Sequence, residues 1–211
     1  MPGENAVGND ALISMLGEIG SIAMGAASIS LSELTGKKIK FTSPKVWLGD
    51  KPVVENPGQM KVLISVNYKG DITGSSLMTL REEMALKIAN LMLTPMGMEV
   101  TELDDLASSA LMEAMNQMMG AAARALSELT GAFIDITTPT FLLLENGLTE
   151  DMLDDIKKNM KGKIASVQFA VWIEEQEQEG HMYIFYPLTL AAKLVINTLR
   201  NMNQMKVKNK K

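Results

Sequence analysis

SALMEAMNQMMGAAARALSELTG, residues 109–131, reads as a long apolar helix closed by a glycine. Its Leu, Met and Ala residues recur at three- and four-residue steps, the period of a helix with one face in a core. On the other face Ser109, Glu113 and Asn116 follow at i, i+4 and i+7, which stacks them along one stripe. Their neighbours are small or apolar, so the polar stripe is narrow. Sliding the chain by 95 positions lays SMLGEIGSIAMGAASISLSELTG, residues 14–36, over the same stretch. Ser14 meets Ser109, Glu18 meets Glu113, Gly25 meets Gly120 and Pro44 meets Pro139. LSELTG recurs unchanged at 31–36 and 126–131, and roughly half of the aligned positions are identical, more than chance gives over such a window.

The repeat sets the organisation. LMTLREEMALKIANLML (77–93) and MYIFYPLTLAAKLVINTL (182–199) share a second pattern, a strand end running into an amphipathic helix. Each half therefore reads as long helix, three strands and a shorter helix. In the first half the helices are expected near 10–34 and 81–93, with strands near 38–47, 61–68 and 72–80. In the second the helices are expected near 102–129 and 188–202, with strands near 133–144, 163–174 and 181–186. NYKGDITG (67–74) is a hairpin turn by its residue types. The polar insert 148–160 suits a short helix of its own. Neither half can bury its long apolar helix alone, so the expected fold is α/β (α+β). It is one pseudo-two-fold domain over about 10–202, with a shared sheet and the two long helices side by side. Repeat one covers about 10–95 and repeat two about 101–202. Residues 1–9 are expected as a flexible lead, and 203–211 as a basic tail or linker.

Composition narrows the function classes. The chain has 211 residues, a net charge of −5 and 46% hydrophobic residues, so it holds a sizeable core and lacks the basic stripe of a nucleic-acid binder. No cysteine is present, which removes disulfides, thiolate catalysis and Cys-based zinc sites and fits a reducing cytoplasm. No apolar run is expected to reach the length of a membrane span, and no membrane insertion is expected. The 18 methionines are expected chiefly as core filler.

The familiar catalytic signatures are missing: no phosphate-binding glycine loop with Lys-Ser/Thr, no His-Glu-x-x-His, no Gly-x-Ser-x-Gly. GEIGSIAMG (17–25) has spaced glycines, but inside a helix pattern they suit close helix packing. His181 is the only histidine, stands at a strand start and has no evident partner group. The run 174–181, EEQEQEGH, reads as a solvated hairpin. What remains is the pair of helical stripes.

At those stripes the sequence resembles the CheC–CheX–FliY family of phosphatases, which act on the phosphorylated chemotaxis regulator CheY. The family motif is Asp or Ser, three residues, Glu, two residues, Asn, then 22 residues and Pro. The second copy matches in full, at Ser109, Glu113, Asn116 and Pro139. The first matches at Ser14, Glu18 and Pro44, but Ser21 stands where Asn is expected. EAMNQMMGAAA and YPLTLAAKL are most similar to the flagellar-switch branch, FliY. The resemblance implies hydrolysis of the regulator's aspartyl phosphate, with Asn116 holding the attacking water and Glu113 anchoring the regulator. Glu18 and Ser21 would form a degenerate second site. It implies no cofactor of the chain's own, magnesium being expected in the regulator. Implied partners are CheY and the switch proteins FliM, FliG and FliN-like proteins, at the cytoplasmic face of the flagellar basal body. A non-catalytic switch scaffold or CheY-docking module is the alternative.

Overall fold

The computed structural model describes residues 4–175 and 180–208, so the tip of the acidic run, 176–179, and both chain ends lie outside the described residues. The first repeat comprises α1 (Glu4–Thr35), β1 (Ile39–Gly49), β2 (Val62–Gly70), β3 (Gly74–Leu80) and α2 (Glu82–Leu93). The second comprises α3 (Asp105–Thr130), β4 (Ile134–Ile136), β5 (Thr140–Leu143), α4 (Glu150–Met160), β6 (Ile164–Ile173), β7 (Gly180–Pro187) and α5 (Leu188–Lys208). The helix expected from about 10 opens at Glu4, so residues 4–9 belong to α1. The last helix runs through Lys208, so residues 203–208, expected as a tail, are helical. The single strand expected over 133–144 is two, because the ladder breaks at Thr138 and Pro139, after a last bond from the Thr137 N–H to the Asn67 carbonyl at 3.0 Å. Proline has no N–H to give to a ladder.

LSELTG works as a hinge between helix and sheet, in the same way twice. Gly36 and Gly131 adopt φ of 69° and 67°, the left-handed turn that ends a helix and that glycine adopts at least cost. Each donates its N–H to the serine carbonyl four residues back, at 2.9 Å. The Ser32 hydroxyl accepts the Ile39 N–H at 2.9 Å, and the Ser127 hydroxyl accepts that of Ile134 at 2.9 Å. Thr35 and Thr130 turn their hydroxyls back to the Leu31 and Leu126 carbonyls, at 2.8 and 2.7 Å. The first residue of each following strand is thereby fixed to its own helix.

The strands form one antiparallel sheet ordered β1-β6-β7-β3-β2-β4, with β5 also on β2. The order shows an exchange. The first strand of repeat one pairs with β6 of repeat two, and the first strands of repeat two pair with β2 of repeat one. The β3–β7 pair at the centre joins the halves, with Leu77 opposite Phe185 and Leu80 opposite Met182. In β1 the register slips between Thr42 and Lys45, around Pro44. Thr138 and Pro139 interrupt the equivalent place in repeat two.

Helices α1, α2, α3 and α5 cover one face of the sheet. Leu16, Ile19, Met24 and Leu31 of α1 meet Leu111, Met115, Met118 and Leu126 of α3 in the main core, over Ile64, Val66, Val167 and Phe169. Each such side chain contributes about 1.5–3 kcal/mol on burial. The segment Gly8–Thr35 is, against expectation, long and apolar enough to cross a membrane by length and composition. Its large apolar residues at 16, 19, 24 and 31 are core contacts of this domain. The opposite face carries a smaller core in which α4 brings Leu153 and Ile156 against Ile164, Tyr183 and Phe185. The segment before β2 is pinned there by Val53 N–H on Ser166 Oγ, at 2.9 Å. Methionine fills the core as expected at Met24, Met78, Met84, Met115, Met118, Met119 and Met182. The spaced glycines of 17–25, expected as close-packing positions, do not act alike. A Cβ on Gly20 would stand 3.1 Å from Phe169 of the sheet, whereas one on Gly25 would meet nothing within 4 Å. Gly20 lets α1 lie on the sheet, and Gly25 has no packing task among the described residues.

Ser127→Ala removes both polar contacts between helix end and strand start and is expected to cost about 1–2 kcal/mol of stability. Ser32→Ala is expected to cost a similar amount, because the same bond is made there. Urea unfolding of both variants checks this.

Candidate active site

The buried face of α3 fixes what the other face presents. Asp104 caps the helix by accepting the Ala107 N–H at 2.8 Å, which sets its start. Leu111, Ala114, Met115, Met118 and Ala122 are buried. That leaves Ser109 and Glu113 exposed and Asn116 half-buried on the outer side. The three stand on one face, as their spacing predicts. Gln117 donates from Nε2 to Glu113 Oε1 at 2.8 Å and so restrains that carboxylate. Among the described residues no hydrogen bond holds the Asn116 carboxamide. Ser109 turns its hydroxyl to the Asp105 carbonyl at 2.7 Å, a bond inside the helix. Pro139 is buried at the break between β4 and β5, between two strands and not on the helix.

Ser14, Glu18 and Ser21 are exposed on α1 in the same arrangement. The two stripes do not merge. Between α1 and α3 runs an open cleft of about 320 Å³, lined by Ala26, Ile29, Ser30 and Glu33 and by Ala121, Arg124, Ala125 and Glu128. These are four repeat-equivalent pairs, so the cleft lies on the pseudo-two-fold axis. Ser30 Oγ closes it on one side by donating to the Gln117 carbonyl at 3.4 Å. Glu18 and Glu113 each lie eight residues before the axial alanine, roughly 12 Å along their helices at 1.5 Å per residue.

The repeats differ on this outer surface. Against Asn116, Gln117 and Arg124 the first helix sets Ser21, Ile22 and Ile29. Ile22 and Ile29 are 51% and 63% exposed. The second stripe is thus polar with a cation, and the first is partly apolar. The family motif does not include Gln117 and Arg124. Comparing the two copies position by position is the signal that marks them. His181 sits half-buried in β7 opposite Ala170, away from both stripes. Among the described residues no three His, Cys, Asp or Glu side chains gather as a metal site.

The profile of the CheC-like family matches residues 106–143, from the start of α3 through β5. CheX of Thermotoga maritima, a CheY-P phosphatase by name, is 34% identical over 122 residues, 58% of this chain and 70% of that protein. The chain belongs to the CheC-like family. The crystal structure of Thermotoga maritima FliY superposes with a TM-score of 0.75 at 32% identity, covering 90% of this chain and 96% of that one. The flagellar motor switch phosphatase FliY of Bacillus subtilis is 32% identical over 188 residues, 88% of this chain and 49% of that protein. The chain therefore spans about half the length of this relative. The expected fold, a pseudo-two-fold domain of mixed helix and antiparallel sheet, is the CheC-like one.

Glu113 and Asn116 project from a helix whose core contacts lie on the opposite side. Glu113→Ala and Asn116→Ala are each expected to leave stability within about 0.5 kcal/mol of wild type, the range of surface substitutions. Their urea midpoints check that the site residues carry no structural load.

Proposed function

We propose that this chain hydrolyses the aspartyl phosphate of a CheY-type response regulator, and that Asn116 of the second repeat is its catalytic residue. One observation carries the reading: a carboxylate and a carboxamide one turn apart on the outer face of a core-packed helix. The name of CheX, a CheY-P phosphatase, supports the reading, and FliY is named a phosphatase of the flagellar motor switch.

The chemistry suits these groups. Attack of water on phosphorus breaks the P–O bond to the aspartyl carboxylate, returning the carboxylate and inorganic phosphate. Phosphoryl transfer asks little covalent work of the protein and responds strongly to placement of the nucleophile. A carboxamide donates and accepts at once and does not titrate, so Asn116 can hold a water in line with the scissile bond. Magnesium belongs to the regulator's own site in this reading. Glu113, held by Gln117, keeps a carboxylate oxygen for a cation on the regulator. Ser21 is too short to hold the same water from the same backbone position, which makes the first stripe a degenerate copy. The same reading puts the chain at the cytoplasmic side of the flagellar switch, among the switch proteins.

Steady-state dephosphorylation separates the two roles. Asn116→Ala is expected to lower the maximal rate by about 10²-fold with half-saturation little changed, as loss of a transition-state contact does. Glu113→Ala is expected to raise half-saturation, with an effect that shrinks at high salt as screening grows. A full rate from a folded Asn116→Ala chain overturns the water-holding role. A docking module gives no rate increase from any form. Adding Ser21→Asn to Asn116→Ala is expected to return part of the rate, since Glu18 is retained.

A further inference from the structure

Nothing among the described residues requires Gly120 to be glycine. It lies mid-helix in α3, where glycine is the poorest helix former after proline. Its backbone is helical, so no left-handed φ calls for it. Outside the backbone of its own helix turn, a Cβ built there would come no closer than 3.7 Å to a neighbour, the Arg124 guanidinium, which is ordinary contact. Close approach of α1 is therefore not the cause. Gly20, where a Cβ would press on Phe169, shows what a packing glycine looks like in this fold. The position follows Asn116 by four residues, hence one turn on along the same face. Its repeat equivalent Gly25 is as bare, beside Ser21 on α1.

We infer that Gly120 is a clearance position of the catalytic stripe. The absent side chain lets the surface of the phosphorylated receiver come against the α3 backbone one turn beyond Asn116, so that the carboxamide reaches the phosphoryl group. The inference rests on the function proposed above and adds the regulator's contact area to it. Glycine is the residue that lets another surface approach a helix most closely. The helix pays in stability what the complex gains in fit. Gly25 is the repeat's copy of the same feature on a stripe without its carboxamide.

The test is Gly120→Ala and Gly25→Ala in the full chain, assayed for urea stability and for turnover of a CheY-type receiver phosphorylated by acetyl phosphate. Both substitutions are expected to raise the urea midpoint, since alanine favours helix and has room. Gly120→Ala is expected to raise half-saturation about tenfold, the effect of a methyl forced into a fitted contact, with the maximal rate largely kept. Gly25→Ala is expected to leave half-saturation unchanged. A fall in the urea midpoint of Gly120→Ala overturns the inference, because the fold then needs the glycine. Wild-type half-saturation in Gly120→Ala overturns it too, while wild-type turnover leaves the proposed function standing. Equal weakening by Gly25→Ala traces the effect to helix stiffening and overturns it as well. Absence of turnover by the wild-type chain overturns the proposed function and this inference together.

Discussion

Each repeat lends its first strand to the other. β1 completes its ladder only on β6, and β4 and β5 only on β2, so each half needs the other to satisfy its backbone hydrogen bonds. The β3–β7 pair then fixes the axis about which the halves are related. Because LSELTG ties each long helix to its lent strand, the exchange also sets where α1 and α3 lie. Their apolar faces meet over the sheet, and their outer faces come up on either side of the axial cleft. The position of Asn116 is thus a consequence of strand exchange, transmitted through a serine hydroxyl and a left-handed glycine.

A two-fold scaffold permits its surfaces to diverge. Core positions must match because both helices pack on the same sheet, and Leu16 and Leu111, Met24 and Met119, and Leu31 and Leu126 are paired identities. Outer positions answer only to what docks there. Asn116, Gln117 and Arg124 face Ser21, Ile22 and Ile29 across the repeat, so one copy keeps a carboxamide, a donor to its glutamate and a cation. The other keeps Glu18 without the group beside it. The asymmetry supports the proposal of one catalytic stripe per domain.

Much of this was legible in the residues because helix and strand periods are local. The long helices, the hairpin at 67–74 and the helix in the insert follow from spacing and turn residues, and the internal repeat fixes the pseudo-symmetry. Strand order was not legible, since the partner of β1 is set more than a hundred residues away by the fit of two halves. The split between β4 and β5 was missed because one proline in an apolar run signals an irregularity but not its extent. The glycines misled for another reason: spacing cannot tell Gly20, which faces Phe169, from Gly25, which faces open space. At the candidate site, Glu113 and Asn116 were visible as a stripe whose serine and glutamate recur in the first repeat. Gln117 and Arg124 were not, because a motif written for one copy ignores positions at which the copies disagree.

The central claim is that this domain speeds loss of a phosphoryl group it does not itself bind covalently. The direct measurement is the rate of phosphate release from a phosphorylated CheY-type receiver with magnesium present, alone and with a substoichiometric amount of this chain. The expected result is a faster release in which each chain serves many receivers. Release at the receiver's own rate, with the chain folded and in excess, contradicts the account.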